Sequence, residues 1–292
     1  MMSENPDVHC EGNTLQLKIA LTGNEMTKRP KINILLCDTF PGLMPPEIPS
    51  YASMFREMFR SVDDSIEFEV FPVMAGVLPK KLEKNELYLV TGSNSSAYDN
   101  DPWILGLKQW IRDASSLHSK LVGICFGHQI IAQALGGEVQ RYTGGWGIGI
   151  RESVISDEIM HFYFPNGRLR LLYNHHDQVT VLPPGAIAIA HSDFCQYEGF
   201  RIGHDILTFQ GHPEFTPEYE LNLIKNHAKD EDEHVKSAAV KSIKQRCHQG
   251  RMVTQFILHF FNLTKASSRI PTENSQVYVP HKKYLRISHC VA

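Results

Sequence analysis

One short segment constrains the fold of this chain more than any other: a cysteine bracketed by two glycines. In KLVGICFGHQIIAQALGG, the residues Gly123, Cys125 and Gly127 form Gly-x-Cys-x-Gly between a predicted strand and a predicted helix. A side chain on such a sharp turn is exposed above the strand end, and its neighbours must be small because a Cβ would clash there. The partial positive charge of a helix N-terminus also favours a thiolate. The segment predicts a nucleophilic cysteine, with a buried strand cysteine as the alternative.

Apolar runs and amphipathic segments alternate through the first half of the chain. The segments INILLCD, IEFEVFPV, ELYLVTGS and KLVGIC are short apolar or alternating runs, which predict strands. Helices are predicted over 50–62, over 101–117 with Asp101 as N-cap and Pro102 at the first position, and in HQIIAQALGG. This alternation predicts an α/β fold with an open, mostly parallel sheet flanked by helices on both faces.

The second half has a different character. Between 138 and 210, short runs such as GIGIRESVI and AIAIA are separated by turn residues, which predicts added antiparallel strands and a return to the main sheet. Residues 217–263 are predicted to be helical, with Ile257, Leu258, Phe260 and Phe261 on the packing face.

Composition excludes several classes of function. Lys and Arg number 29 against 32 Asp and Glu, so no overall field selects nucleic acid or an anionic membrane. Six scattered cysteines without a CxxC pair are too few for a disulfide scaffold. The start, MMSENPDVHC, lacks the features of a signal peptide, and no apolar run approaches the roughly 18 residues of a membrane span. We expect a cytoplasmic enzyme with no nucleic-acid or membrane partner.

A base for the cysteine is predicted in ILTFQGHPEF, where His212 and Glu214 follow an apolar strand. A cysteine nucleophile needs a base and a group that orients it. Residues two apart in extended backbone point the same way, so Glu214 can hold one imidazole nitrogen while the other faces Cys125. The chain has 15 histidines, so the prediction depends on the pairing with the cysteine turn.

The two motifs together, GICFGHQ and GHPEF, carry a family resemblance. The chain resembles the glutaminase domain of class I (triad-type) glutamine amidotransferases, and in particular the free-standing branch that includes γ-glutamyl peptidases of plants and related fungal proteins. The resemblance implies a flavodoxin-like layered domain over 31–264, an N-terminal extension over 1–30 and a basic C-terminal tail over 265–292. The tail carries five Lys and Arg against one Glu, which predicts a solvated end or, as the alternative, a docking segment for an acidic partner.

The resemblance also implies roles for individual residues. Cys125 matches the nucleophile, His212 the base and Glu214 the orienting carboxylate. Gly92, in LVTGSNSSAYD, matches the loop that supplies one oxyanion donor, and the N–H of Phe126 is the other. Substrate-binding positions are matched by Gln129, Trp146, Gly147, His175 and Asp177. The alternatives are an ordinary helix residue at 129, a surface anchor at 146 and a metal site at 174–177, which lacks a third ligand at a telling spacing.

The implied activity is hydrolysis or transfer of a γ-glutamyl amide through a thioester, on glutamine or γ-glutamyl peptides as small-molecule substrates. It requires no metal and no organic cofactor. One alternative is a glutaminase subunit that delivers ammonia to a separate synthetase chain; another is a non-catalytic binding protein with the same fold. A PfpI-like cysteine protein is a third, but it does not account for the placement of His212 and Glu214.

Overall fold

The computed structural model describes residues 29–39, 48, 50–226 and 232–263, and its first strand begins at Lys31 as predicted. Apart from Arg29 and Pro30, the predicted extension over 1–30 lies outside the described residues, and so does the predicted basic tail over 265–292. These two segments and the domain boundaries beside them stay predictions.

Eleven strands are formed by the described residues. They are β1 (Lys31–Leu36), β2 (Glu67–Pro72), β3 (Glu86–Val90), β4 (Lys120–Ile124), β5 (Glu138–Arg141), β6 (Gly147–Ile155), β7 (Arg168–His175), β8 (Asp177–Val181), β9 (Ala186–His191), β10 (Gly199–Ile202) and β11 (Ile206–Phe209). Nine of them form one sheet in the order β2-β1-β3-β4-β11-β10-β9-β6-β7, while β5 and β8 form a separate pair.

The large sheet has two parts of different direction. Strands β2, β1, β3, β4 and β11 are parallel neighbours, and every residue of β3 and β11 is buried, as expected for strands covered on both faces. Strands β10, β9, β6 and β7 continue the sheet with antiparallel pairing. The predicted mostly parallel sheet, the antiparallel addition and the return of β11 to the main sheet are confirmed.

Seven α-helices, which cover both faces of the sheet, and one short 3₁₀-helix (Val73–Ala75) are found in the described residues. The α-helices are α1 (Tyr51–Arg60), α2 (Pro102–Ser116), α3 (Phe126–Ala134), α4 (Glu158–His161), α5 (Pro217–Asn226), α6 (Glu233–Gln245) and α7 (Gly250–Phe260). Side chains of α1, α5, α6 and α7 belong to one apolar cluster, and those of α2 and α3 to another. None of these helices is long and apolar enough to cross a membrane.

Two helix starts show how local sequence sets the elements. Ser50 caps α1 in a reciprocal capping box with Ser53, as its position before an amphipathic segment favours. At α2, Asp101 is the N-cap residue and Pro102 is the first helical residue, as predicted. The Asp101 side chain, however, makes no capping hydrogen bond, so proline contributes to this start and the carboxylate contributes only its charge.

The C-terminal ends of β3, β4 and β11 lie side by side, because β4 pairs with both of the others. Ile124, the last residue of β4, pairs with Phe209, the last residue of β11. The segments that leave these ends carry Gly92, Cys125 and His212. Parallel pairing therefore brings the three positions to one edge of the sheet despite their separation along the chain.

Candidate active site

Cys125 occupies a strained turn between β4 and α3. Its backbone angles are φ 54° and ψ −106°, a region that L-residues other than glycine rarely adopt. The turn is held on both sides, because the Cys125 N–H donates to the Phe209 carbonyl at 2.9 Å and its carbonyl accepts from Gln129 N–H at 3.0 Å. Strain held in this way is typical of functional sites.

The two bracketing glycines are required by close packing. A Cβ on Gly123 would lie 2.5 Å from the Gly127 carbonyl oxygen, and a Cβ on Gly127 would lie 2.8 Å from the Val90 carbonyl carbon. Side chains at either position would therefore push α3 away from β3 and β4. The prediction that both positions must be small is confirmed.

His212 and Glu214 form a buried pair. Nδ1 of His212 lies 2.8 Å from Oε1 of Glu214, and the two residues are 3% and 5% exposed. The His212 N–H donates to the Leu172 carbonyl of β7 at 2.7 Å, and the imidazole stacks on the Phe215 ring with centroids 3.8 Å apart. The imidazole is thus fixed by its backbone, by a carboxylate and by a flat aromatic surface.

Cys125 completes this group from the neighbouring strand end. Cys125 is only 6% exposed, so the prediction that the turn exposes its side chain is wrong. The side chain lies near enough to His212 to favour the protonated form of the imidazole. Burial alone would lower the pKa of His212, but the charges of Glu214 and Cys125 outweigh it and raise that pKa above the ordinary histidine value. The arrangement favours an imidazolium beside the sulfur, which is the charge state that a thiolate nucleophile needs.

Gly92 lies beside the imidazole, and Phe126 directly follows Cys125. A Cβ on Gly92 would lie 3.2 Å from Cε1 of His212, so the backbone of this buried residue runs directly beside the imidazole. Phe126 is the first residue of α3. Its N–H belongs to the first helical turn, whose donors have no acceptor within the helix. The role of both N–H groups as oxyanion donors stays a prediction.

Gln129, His175 and Asp177 meet around one backbone carbonyl. Nε2 of Gln129 donates to the Asp177 carbonyl at 2.8 Å and to Oε1 of Gln210 at 3.0 Å, and Nδ1 of His175 lies 3.0 Å from the same carbonyl. Burial is the main reason why the pKa of His175 falls to about 3, so this ring is neutral. The amide nitrogen of Gln129 therefore donates both of its hydrogen bonds within the protein.

The remaining predicted substrate positions differ in their exposure and contacts. The Asp177 carboxylate accepts from the hydroxyls of Ser96 at 2.6 Å and Tyr98 at 3.2 Å, which ties the segment after Gly92 to β8. Gly147 is buried opposite His175 in the β6–β7 pair, and a Cβ there would lie 2.6 Å from Nε2 of His175. The Trp146 side chain is 37% exposed.

Sequence reasoning did not predict two buried side chains near the His212–Glu214 pair. Tyr51, at the start of α1, donates from its hydroxyl to Oε1 of Glu214 at 2.9 Å. Glu220, on α5, accepts at Oε1 from the Gly149 N–H at 3.1 Å, and burial is the main cause that raises its pKa to about 8. No local pattern marks either one, because each acts on a residue far away in the chain.

The described part of the chain holds no group of three or more His, Cys, Asp or Glu side chains placed to bind a metal ion.

Comparison with known proteins identifies the family. The class-I glutamine amidotransferase family model matches residues 50–230. Gamma-glutamyl peptidase 2 of Arabidopsis thaliana is 32% identical over 202 residues, which cover 67% of this chain and 81% of that protein. A glutamine amidotransferase-like protein of Penicillium rubens is 31% identical over 206 residues, or 65% of this chain and 84% of its own length.

A solved structure agrees with the fold. A glutamine amidotransferase from Thermotoga maritima superposes with a TM-score of 0.64 at 20% identity, covering 80% of this chain and 99% of that one. The family match spans more than half of the chain, and the resemblance inferred from the two motifs is confirmed. The chain belongs to the class I glutamine amidotransferase family.

Proposed function

We propose that this chain is a cysteine-dependent γ-glutamyl amide hydrolase or transferase, with residues 31–264 as its catalytic unit. The observation that carries the proposal is the buried His212–Glu214 hydrogen bond beside the strand end that presents Cys125 at the edge of the parallel sheet. A nucleophile, a base and an orienting carboxylate in this order make up the minimal set for acyl transfer.

The first half of the reaction forms a thioester. The Cys125 thiolate attacks the γ-carbonyl carbon, and the C=O electron pair moves to the oxygen. The Gly92 and Phe126 N–H groups donate to this oxyanion, and each such donor typically contributes about 3 kcal/mol of barrier lowering. When the tetrahedral intermediate collapses, the C–N bond breaks and His212 gives its proton to the leaving amine.

The second half regenerates the cysteine. Water, or an acceptor amine, attacks the thioester carbonyl while His212 takes up its proton, and the C–S bond then breaks to release the thiolate. Glu214 keeps the imidazole oriented and its charge balanced in both halves. Apart from the substrate and the water or acceptor amine, all reacting groups in these steps belong to the chain.

The substrate class is inferred from the relatives. The Arabidopsis relative is named a gamma-glutamyl peptidase, and the Penicillium relative is named glutamine amidotransferase-like. Both names imply cleavage of a bond to a γ-glutamyl carbonyl. We assign γ-glutamyl peptides as the preferred substrates and glutamine as a second one, bound on the side of Gln129, Trp146, Gly147, His175 and Asp177.

The proposal is tested by trapping the thioester. The purified chain is mixed with glutamine or with a γ-glutamyl dipeptide, quenched in acid and examined by mass spectrometry, while ammonia and free amino acid are measured. We expect one γ-glutamyl group on Cys125 and release of the amine. The Cys125→Ala variant should show neither, whereas Cys247→Ala, which removes a different cysteine thiol, should behave like the wild type.

The released amine separates the alternatives. Amino acid released from the dipeptide by the isolated chain supports a peptidase. Weak turnover of glutamine that rises only with a co-purified synthetase would instead indicate an ammonia-delivering subunit. Turnover that persists in Cys125→Ala would refute the mechanism, and absence of both turnover and thioester would indicate a non-catalytic protein.

A further inference from the structure

Tyr51 occupies a buried position between two parts of the proposed site. It is the first residue of α1, where the Ser50 capping box fixes the helix start, and it is 1% exposed. Its ring packs edge-on against Phe55 at 5.2 Å and Phe215 at 6.5 Å between centroids. The hydroxyl is therefore held in place by packing on the ring and by the helix that carries it.

The Tyr51 hydroxyl shares its acceptor with the imidazole. Oε1 of Glu214 accepts from Tyr51 at 2.9 Å and faces Nδ1 of His212 at 2.8 Å, whereas Oε2 of Glu214 is buried without a hydrogen-bond partner in the described residues. Two donors on one oxygen fix the orientation of the carboxylate, because rotation would break both bonds. A charge-assisted hydrogen bond in a buried site is also stronger than a neutral one.

The same hydroxyl also lies against the predicted oxyanion loop. A Cβ on Gly92 would lie 2.7 Å from the Tyr51 oxygen and 3.2 Å from Cε1 of His212. Tyr51 therefore fills the space between the carboxylate and the Gly92 backbone. One side chain contacts the group that orients the base and the loop that is expected to receive the oxyanion.

Tyr51 is suited to donate and not to ionise. Burial, followed by the nearby charge of Glu214, raises the pKa of Tyr51 well above the ordinary tyrosine value. The titratable groups that face Tyr51 are Glu214, Cys125 and Tyr219, and those that act on or respond to His212 further include Glu220, His175 and His248. Among the described residues, Tyr51 is the phenol bonded to the triad carboxylate.

We propose that Tyr51 is a positioning residue of the triad, which orients Glu214 towards His212 and supports the Gly92 loop. This inference deepens the proposed function and rests on it for the catalytic readout. Donation by Tyr51 withdraws charge from Glu214, so loss of the hydroxyl leaves Glu214 free to hold the His212 proton more tightly. The carboxylate also loses one of the two donors that fix its orientation.

The test compares two buried tyrosines. Tyr51→Phe removes the hydroxyl that donates to Glu214 and retains the ring. Tyr219→Phe is the matched control, because Tyr219 is also fully buried and packs on Phe215, and its hydroxyl has no hydrogen-bond partner in the described residues. Turnover of a γ-glutamyl dipeptide is measured against pH for both variants, with thermal unfolding as a check on the fold.

We expect kcat to fall about tenfold or more in Tyr51→Phe, with KM changed less than about twofold. The alkaline limb of the kcat–pH profile should move to higher pH, since His212 keeps its proton up to a higher pH. Tyr219→Phe should match the wild type in both respects. A Tyr51→Phe variant with the kcat and pH profile of Tyr219→Phe would overturn the proposal, as would equal losses in both variants.

A second readout separates this proposal from the proposed function. The rate at which iodoacetamide alkylates Cys125 is measured against pH without any γ-glutamyl compound, because this rate reports the thiolate–imidazolium pair alone. If the wild type turns over no γ-glutamyl substrate but the alkylation profile shifts in Tyr51→Phe and not in Tyr219→Phe, the positioning role stands and the substrate assignment falls. An unshifted alkylation profile refutes the positioning role, whatever the substrate.

Discussion

The parallel half of the sheet (β1 to β4 and β11) and the antiparallel half (β6, β7, β9 and β10) contribute to the candidate active site by different means. The parallel half presents Cys125, His212 and Gly92 at adjacent strand ends, so backbone pairing brings them together, and a single bridge from His212 to Leu172 of β7 adds to it. The antiparallel half presents His175 and Gly147 from the β6–β7 pair. Asp177, which begins β8 directly after this pair, connects the region to α3 and to the Gly92 loop through hydrogen bonds with side chains.

This difference assigns separate tasks to the two halves. Groups placed by backbone pairing are held to within fractions of an ångström, which bond-making steps require. Groups placed through side chains and loops can be exchanged without disturbing the sheet, which suits selection among substrates. We therefore expect substitutions in the parallel half to change kcat and substitutions in the antiparallel half to change KM.

The sharpest test of this separation exchanges one histidine in each half. His212→Asn removes the proposed base and should lower kcat by about 10³-fold or more. His175→Asn retains a polar group beside the Asp177 carbonyl, and we expect a KM several-fold higher with kcat within about tenfold. Steady-state kinetics with one γ-glutamyl dipeptide measures both. Similar losses of kcat in the two variants would show that the two halves do not have separate effects on kcat and KM.

The charge balance of the parallel half is tested by Glu214→Gln. Loss of the carboxylate removes the largest interaction that raises the His212 pKa, so the alkaline limb of kcat should move to lower pH. We expect kcat at neutral pH to fall by about 10²-fold, since the imidazole also loses its orientation. A pH profile is the measurement, and an unmoved alkaline limb would mean that Glu214 does not control the charge of His212.

Much of the parallel half was predictable from sequence because its signals are local. The glycines around Cys125, the spacing of His212 and Glu214 and the Pro102 helix start each depend on neighbouring residues. The pairing of β5 with β8 and the contact of Tyr51 with Glu214 depend on the folded chain, since the latter joins residues 163 positions apart. No residue pattern near Tyr51 distinguishes it from an ordinary member of an apolar helix face.

The rigidity of the parallel half is tested by a pair of glycines. In Gly127→Ala the new methyl group would lie 2.8 Å from the Val90 carbonyl carbon, so we expect unfolding to require about 3 kcal/mol less. Gly106→Ala is the control, because Gly106 lies in α2 with no atom within 4 Å of an added Cβ. Alanine favours a helix over glycine, so this variant should gain up to about 1 kcal/mol. Denaturant unfolding measures both, and equal stabilities would show that the Cys125 turn tolerates side chains.

The smallest expected effect concerns Glu220, which links the halves by accepting from Gly149 of β6 while lying near His212. Its pKa is raised to about 8, chiefly by burial, so the folded protein holds a proton on this carboxyl that the unfolded chain releases at lower pH. The folded state therefore binds more protons between the ordinary Glu pKa and about 8, and its stability falls as pH rises through this window.

The variant Glu220→Gln is neutral at every pH and nearly isosteric, so it should lose that part of the pH dependence of stability. We expect the Tm of the wild type to drop more than that of Glu220→Gln between pH 6 and pH 9, with the two close at acidic pH. If Tm changed with pH by the same amount in both proteins, Glu220 would be ionised in the folded state. The two halves would then be joined here through a charge.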